Sequence, residues 1–375
     1  MTSNRTDVCF FLPNLGEGGI QRTAINLADS FVNKGLKVDF VLDRVTGPFV
    51  KQIPDGSRMI DLKYPRLRTS VYSLISYLKR EQPKALISYT HYHDEIAILA
   101  KRLSGVSTKI AVSTQNTLLG TPRPPIQNLP GFLGITPYYP HTLIKLFYPW
   151  ADAVLASSGG VAQDVAQISG LPLEQIKVIY NPIVTPKLLE RAKEPVDHPW
   201  FKTGEPPVIL GVGRLTKQKD FETLIQAFYQ VRKQQNARLM ILGTGLAQAR
   251  LQSLLHQLGV ENDVNLQGFV ENPYAYMARA KLFVLSSAWE GFGNVLVEAM
   301  AVGTPVISTD CQSGLAEILD HGKYGFLTPV GDYKAMAEEI LKVLSGRYKL
   351  VDATWLNQFS IENSAQKYLE ALSQT

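Results

Sequence analysis

Short β-branched and apolar runs alternate with amphipathic stretches of helix length nearly from end to end, the pattern of parallel strands covered by crossover helices. In the first half the runs Val8 to Leu12, Val38 to Leu42, Ala85 to Ser88, Lys109 to Ser113, Ala153 to Ala156 and Lys177 to Ile179 read as strands. Helical stretches such as Ile20 to Lys34 and Asp94 to Leu103 separate most of them. A second alternation has strands at Val208 to Val212, Arg238 to Leu242, Val264 to Gln267, Leu282 to Leu285 and Pro305 to Ser308, with helices such as Phe221 to Gln234 and Ala247 to Leu258. Leu, Ile and Phe recur at helical spacing in "DFETLIQAFYQVRKQ" and "LQSLLHQLG", which assigns those side chains to a core.

Between the two alternations lies "RAKEPVDHPWFKTGEPP", rich in proline and charge and without apolar period. This predicts an α/β chain of two doubly wound, Rossmann-like domains facing a central cleft. Residues 1–190 form the first domain, 191–207 the linker and 208–355 the second, and 356–375 a last helix with the option of crossing back to the first. Such folds bind ligands at the carboxyl ends of their strands. The length of 375 residues fits two cores, and 45% hydrophobic with 19% charged residues fits a globular chain. No apolar run reaches the length of a membrane span, and the start "MTSNRTDVCFFLP" lacks the features of a signal peptide, so a cytoplasmic location is expected. Cys9 and Cys311 stand far from any metal-spaced partner and are expected to be reduced thiols.

The formal charge of +5 is uneven. Residues 1–200 hold 22 Lys and Arg against 16 Asp and Glu, and residues 201–375 hold 16 against 17. No helix-turn-helix, zinc-finger or stacking-aromatic signature accompanies the basic half, so nucleic acid is not the expected partner. An anionic membrane surface or a phosphate-bearing substrate accounts for the charge equally well.

Three places carry candidate chemistry. The first strand runs into "LPNLGEGGIQRTAINLA", where Gly16, Gly18 and Gly19 open a helix whose amides can meet an anion. Gln21 stands where a dinucleotide fingerprint needs glycine, which weakens a nicotinamide reading although Asp43 is near the place of a ribose-binding acid. "GVGRLTKQKD" puts Arg214 and Lys219 on the loop after the first strand of the second half, two cations suited to a diphosphate. "AWEGFGNVLVEAMAVGTP" sets Glu290 in a glycine-rich loop and Glu298 about one turn inside a helix beginning near Asn294. Glu298 is nearly alone among apolar neighbours and needs a partner or ligand; it could accept from vicinal ribose hydroxyls, Glu290 could hold hydroxyls of a sugar, and the helix start could meet phosphate.

"EGFGNVLVEAMAVGTPVIST", with "GVGRLTKQKD" upstream and "LGEGGIQR" near the start, resembles the retaining glycosyltransferases of the B-type fold, family four, over nearly the whole chain. The resemblance implies Glu298 on the ribose, Glu290 on the donor sugar, Arg214 and Lys219 on the diphosphate and Gly18 and Gly19 close to the phosphate. Asn294, Ser313, Gly314 and Glu317 are similar to a subgroup that uses hexose or N-acetylhexosamine donors and often builds bacterial surface glycans on lipid carriers. In that subgroup Val295 and Leu296 supply amides near the diphosphate, beside Gly291, Phe292 and Gly293. One departure is clear. Many relatives have a histidine after the strand equivalent to Lys109 to Ser113, whereas this chain has "STQNT" with Gln115 and Asn116. His91 and His93 in "SYTHYHDE" lie at the same sheet edge and are the other candidates for the acceptor or sugar side.

The implied reaction moves a hexosyl or N-acetylhexosaminyl group, with retention, from a UDP- or GDP-sugar to a glycan or polyprenyl-diphosphate-linked acceptor. No cofactor and no metal are expected, since the chain has no Asp-x-Asp pair and cations with a helix start can neutralise the leaving group. A sugar-nucleotide epimerase of the same fold and a non-catalytic sugar-nucleotide-binding subunit remain alternatives. The aromatic stretch 131–150, broken by Pro137, Pro140 and Pro149, reads either as core or as an interfacial helix over His141 to Tyr148. With Lys63, Arg66 and Arg68 the latter gives peripheral contact with an anionic membrane at the inner face of the cell membrane.

Overall fold

The computed structural model describes residues 5–373 apart from 17, 64–66, 120–139 and 313. The chain divides into two compact units, residues 1–182 with 361–375, and residues 183–360.

The first unit is built on a parallel sheet of β1 (Val8–Leu12), β2 (Val38–Leu42), β3 (Arg58–Asp61), β4 (Ala85–Ser88), β5 (Lys109–Thr114), β6 (Ala153–Ala156) and β7 (Ile176–Val178), in the order β3-β2-β1-β4-β5-β6-β7. Crossover helices bury both faces of such a sheet, so its inner strands are continuously apolar. All of β1 is buried: Val8, Phe10 and Leu12 join one core with Phe31 and Phe40, and Cys9 and Phe11 join the other with Tyr77 and Leu86. The helix Ile361–Ser373 adds Ala365, Tyr368 and Ala371 to the first of these cores. The Tyr368 hydroxyl is 3.0 Å from Ser113 Oγ, and Ser364 donates to the Tyr180 carbonyl at 2.8 Å.

The second unit carries β8 (Val208–Val212), β9 (Arg238–Leu242), β10 (Val264–Gly268), β11 (Leu282–Leu285), β12 (Val306–Thr309) and β13 (Phe326–Thr328), all parallel, in the order β10-β9-β8-β11-β12-β13. Leu224, Ile225, Phe228, Leu251 and Leu255 are buried in its core, where their helical spacing places them. The segment 191–207 differs from the linker expected of it. It packs on this unit: Asn272 donates to the Arg191 carbonyl at 2.8 Å, Arg279 to the Ala192 carbonyl at 3.1 Å, and the Phe201 ring meets Tyr276 edge-on at 5.8 Å. Proline and charge removed the apolar period without removing the contacts. The unit's two ends are paired through Val184 and Ser360.

Candidate functional site

The strand order of the second sheet turns between β8 and β11: from β8 the chain moves out to β9 and β10, then returns to β11 and continues to β12 and β13 on the other side. Crossover helices part at such a point and leave a crevice at the strands' carboxyl ends. The loops 213–220 and 286–293 both start there.

They are stitched together. The Ala288 amide donates to the Gln218 carbonyl at 2.8 Å, the Gln218 side-chain amide to the Trp289 carbonyl at 3.1 Å, and the Ser286 hydroxyl to the Lys219 carbonyl at 2.8 Å. Across this junction the Lys219 ammonium pairs with Glu290 Oε1, and the Ser287 hydroxyl donates to the same oxygen at 2.7 Å. The two charged side chains are only 14% and 7% exposed, so solvent screens their attraction little. The Lys219 stem lies along Gly213, where an added Cβ would stand 3.1–3.2 Å from its methylenes. Glycine at 213 is therefore what lets the stem lie down and deliver its charge to Glu290. Arg214 is exposed; its carbonyl accepts from the Thr216 amide at 2.8 Å, and its side chain has no hydrogen bond or ion pair among the described residues. Its guanidinium is available to an anion.

Past this junction Gly293 caps the helix Asn294–Ala301 with φ of 90°, and an added Cβ would lie 2.4 Å from Leu315 Cδ2. Only glycine suits both conditions. Phe292 is buried against Phe359, ring centroids 5.7 Å apart, and the Gly291 carbonyl accepts from the Gly314 amide at 3.3 Å. The Leu296 amide donates to the Gly293 carbonyl at 2.9 Å, so of the two amides expected to face a diphosphate Leu296 is engaged within the turn; Val295 has no such bond among the described residues. Glu298 is buried on this helix. Ser313, the other motif residue, lies outside the described residues. A pocket of about 270 Å³ opens beside the loop 213–220, lined by Thr216, Lys217, Asp220, Glu222 and Arg250, and includes neither Glu290 nor Glu298.

In the first unit Gly18 caps the helix Gly19–Asn33 in extended backbone, and a side chain there would meet only the flexible end of Gln21. His91 is exposed on the first turn of the helix His91–Ser104. His93 is buried, with its ring nitrogens 2.7 Å from Thr90 Oγ1 and 2.9 Å from Asp43 Oδ2. Gln115 is buried and donates to Ser113 Oγ at 3.0 Å, whereas Asn116 is exposed. Among the described residues no group of three His, Cys, Asp or Glu side chains could hold a metal, and no helix is long and apolar enough to cross a membrane.

Sequence reasoning missed Ser287 and Gln218, which hold the glutamate loop. Their signal was only that they are polar residues in the loops that follow β8 and β11.

The profile described as "Glycosyltransferase Family 4" matches residues 17–186, and that of "Glycosyl transferases group 1" matches residues 193–354. The chain belongs to the family four glycosyltransferases. Among its relatives are an N-acetylgalactosamine-N,N'-diacetylbacillosaminyl-diphospho-undecaprenol 4-alpha-N-acetylgalactosaminyltransferase of Campylobacter jejuni, 34% identical over 54% of this chain, and an uncharacterized glycosyltransferase of Methanocaldococcus jannaschii, 31% identical over 68%. The chain spans 53% and 66% of those relatives' lengths. Among solved structures, Anabaena HepE in complex with UDP superposes with a TM-score of 0.75 at 20% identity, covering 99% of this chain and 100% of that one. Sucrose-phosphate synthase of Thermosynechococcus elongatus gives 0.77 at 19% identity, covering 99% of each chain. The fold of the family four chain is thus the glycosyltransferase B type.

Proposed function

We propose that the chain is a metal-independent, retaining glycosyltransferase that moves a hexose or N-acetylhexosamine from a UDP- or GDP-sugar to a glycan or lipid-linked acceptor. The observation that carries this reading is the Lys219–Glu290 pair at the turning point of the second sheet. It puts a cation for a diphosphate and a carboxylate for sugar hydroxyls side by side, with the Asn294 helix start and Arg214 nearby in the chain. The name of the Campylobacter relative, which includes a lipid diphosphate acceptor, and the UDP and UDP-glucose bound to HepE support the substrate class.

In this reading the donor's anomeric carbon–oxygen bond breaks with its electron pair leaving on the diphosphate. Arg214, Lys219 and the helix start stabilise that charge. The acceptor oxygen bonds to the anomeric carbon on the same face, and its proton passes to the departing phosphate oxygen. Glu290 orients the sugar and Glu298 accepts from the ribose hydroxyls. Peripheral docking and the inner face of the cell membrane complete the proposal.

Transfer tests the reading: purified protein with UDP- and GDP-sugars and lipid-linked acceptors should give glycosylated product. Donor hydrolysis or epimerisation without acceptor would contradict it. Activity should survive EDTA and collapse in Arg214→Ala, mostly in turnover; strict dependence on added manganese or magnesium would refute the cation argument. Glu298→Ala should weaken free nucleotide binding by ~1.5–3 kcal/mol for each charge-assisted hydrogen bond lost, as read by calorimetry.

The docking surface is sharpened by the described part of the aromatic stretch, a helix over Pro140–Phe147 followed by a turn over Tyr148–Trp150. Phe147 and Tyr148 are buried, whereas Leu146 and Trp150 are exposed, Leu103 is exposed on the neighbouring helix, and Arg102 stands 4.2 Å over the Trp150 ring. Residues 101–150 hold five Lys and Arg and no Asp or Glu. Residues 131–139 and 66, and the side chain of Arg68, lie outside the description. The protein should sediment with anionic liposomes at low salt and release at high salt, and Leu146→Ser with Trp150→Ser should abolish sedimentation; equal partition to neutral vesicles would count against docking.

A further inference from the structure

The first sheet has its own turning point, between β1 and β4, with β2 beside β1. Asp43 follows β2, and Thr90 to Glu95 follow β4 and open the helix His91–Ser104. Polar side chains gather at this carboxyl edge. His93 is fixed there by Thr90 at 2.7 Å and Asp43 at 2.9 Å, with its ring edge-on to Phe11 at 4.7 Å. Both ring nitrogens are thereby engaged by protein groups. His93 holds Asp43 in place instead of facing a substrate.

The groups around it are differently placed. Asp43 Oδ1, the Tyr92 hydroxyl and Glu95 Oε1 are buried atoms without a hydrogen-bond partner. Glu95 as a residue is 8% exposed. Neighbouring Asp94 shows the contrast, since its carboxylate accepts from Ser88 at 2.5 Å and from Tyr148 at 2.7 Å. Two of them act on the third: burial, then the charges of Glu95 and Asp43, raise the Tyr92 phenol above its ordinary range. Native proteins rarely leave buried polar atoms unpaired, and three in one neighbourhood at the crevice of a doubly wound sheet indicate a ligand that completes them.

Their chemistry restricts that ligand. Two carboxyl groups and a phenol offer oxygen acceptors, which hydroxyl hydrogens satisfy. The Asp43 carboxylate among them disfavours phosphate or a further carboxylate. Burial pushes the Glu95 carboxyl up to about 8, so near neutral pH it can donate as well as accept, which matches the two-way character of a sugar hydroxyl.

We propose that Asp43, Tyr92 and Glu95 form a site in the first unit for the hydroxyl groups of a neutral sugar ring, the ring that is to be glycosylated, with His93 as the residue that positions Asp43. This rests on the transferase reading above and adds to it the chemical class of the acceptor at its point of recognition: an uncharged, hydroxyl-rich ring, with any phosphate or diphosphate held elsewhere.

The test uses the whole chain and a panel of methyl glycosides, the α and β forms of glucoside, galactoside and their 2-acetamido counterparts, titrated by saturation-transfer NMR with UDP present. The double variant Asp43→Asn/Glu95→Gln and the single variant Tyr92→Phe are compared with wild type and with Glu290→Gln, thermal melts certifying that each is folded. We expect at least one glycoside to bind wild type and Glu290→Gln alike, to bind the double variant at least tenfold more weakly, and Tyr92→Phe to fall between. UDP affinity should be the same in wild type and the first-unit variants. Glycoside binding that is equal in the double variant, or lost only in Glu290→Gln, would overturn the site, as would binding of no glycoside by a protein that binds UDP. Failure of wild type to bind UDP or GDP would instead overturn the donor reading, while glycoside binding that depends on Asp43 and Glu95 would still support the cluster.

Discussion

Glu290→Gln is expected to lower transfer by about 10²–10³-fold while leaving free UDP or GDP bound at least as tightly as by wild type. The carboxylate pairs with Lys219 and accepts from Ser287. Removing its charge frees the ammonium for the diphosphate, so nucleotide affinity holds or rises while the sugar loses its anchor. Lys219→Met should behave differently. It leaves Glu290, 7% exposed, with its charge uncompensated by the lysine, and breaking a buried pair on one side costs about 3–5 kcal/mol. That variant should therefore lose both stability and turnover. The double variant Lys219→Met/Glu290→Gln should recover most of the stability and none of the activity. Denaturant titrations with initial rates on all three variants check this; stability losses that simply add would show that the pair does not couple the two loops.

Gly293→Ala is expected to destabilise the second unit by about 2–5 kcal/mol, from the positive φ and from overpacking against Leu315. The second term can be separated from the first. Leu315→Ala added to Gly293→Ala removes the methyl that the new Cβ would strike and leaves the backbone strain, so the double variant should lose less than the sum of the two single changes. Because Gly293 sets the direction of the Asn294 helix start, nucleotide affinity should fall with the single change even where the protein is still folded. A Gly293→Ala protein with wild-type stability and wild-type affinity would contradict the account of this turn.

The regular strands were legible because parallel strands covered on both faces are apolar throughout, as in β1 and β11. β3 was not: its four residues, Arg58 to Asp61, are largely exposed at the sheet edge and carry no apolar run. β13, Phe326 to Thr328, is an edge strand of three residues and is too short to show a period. The segment 191–207 read as linker because its bonds to the second unit run through backbone carbonyls and aromatic edges, which leave no period in the sequence. At the candidate site, the motifs singled out Arg214, Lys219, Glu290 and Glu298. They could not show that Lys219 and Glu290 pair, because that contact joins residues 71 positions apart and depends on β8 and β11 being neighbours. Nor could they show that His93 and Asp43 belong together, a contact 50 positions apart that β2 and β4 create by flanking β1.

In the proposed function the two loops at the β8–β11 turning point hold the diphosphate and sugar of a nucleotide donor. Calorimetric titration of UDP and GDP into wild type, Lys219→Met and Glu290→Gln, with EDTA present, tests it most directly. The expected result is one-to-one binding of one of the two nucleotides to wild type, weaker binding to Lys219→Met and undiminished binding to Glu290→Gln. Binding of neither nucleotide to wild type, or equal affinity in wild type and Lys219→Met, would contradict it.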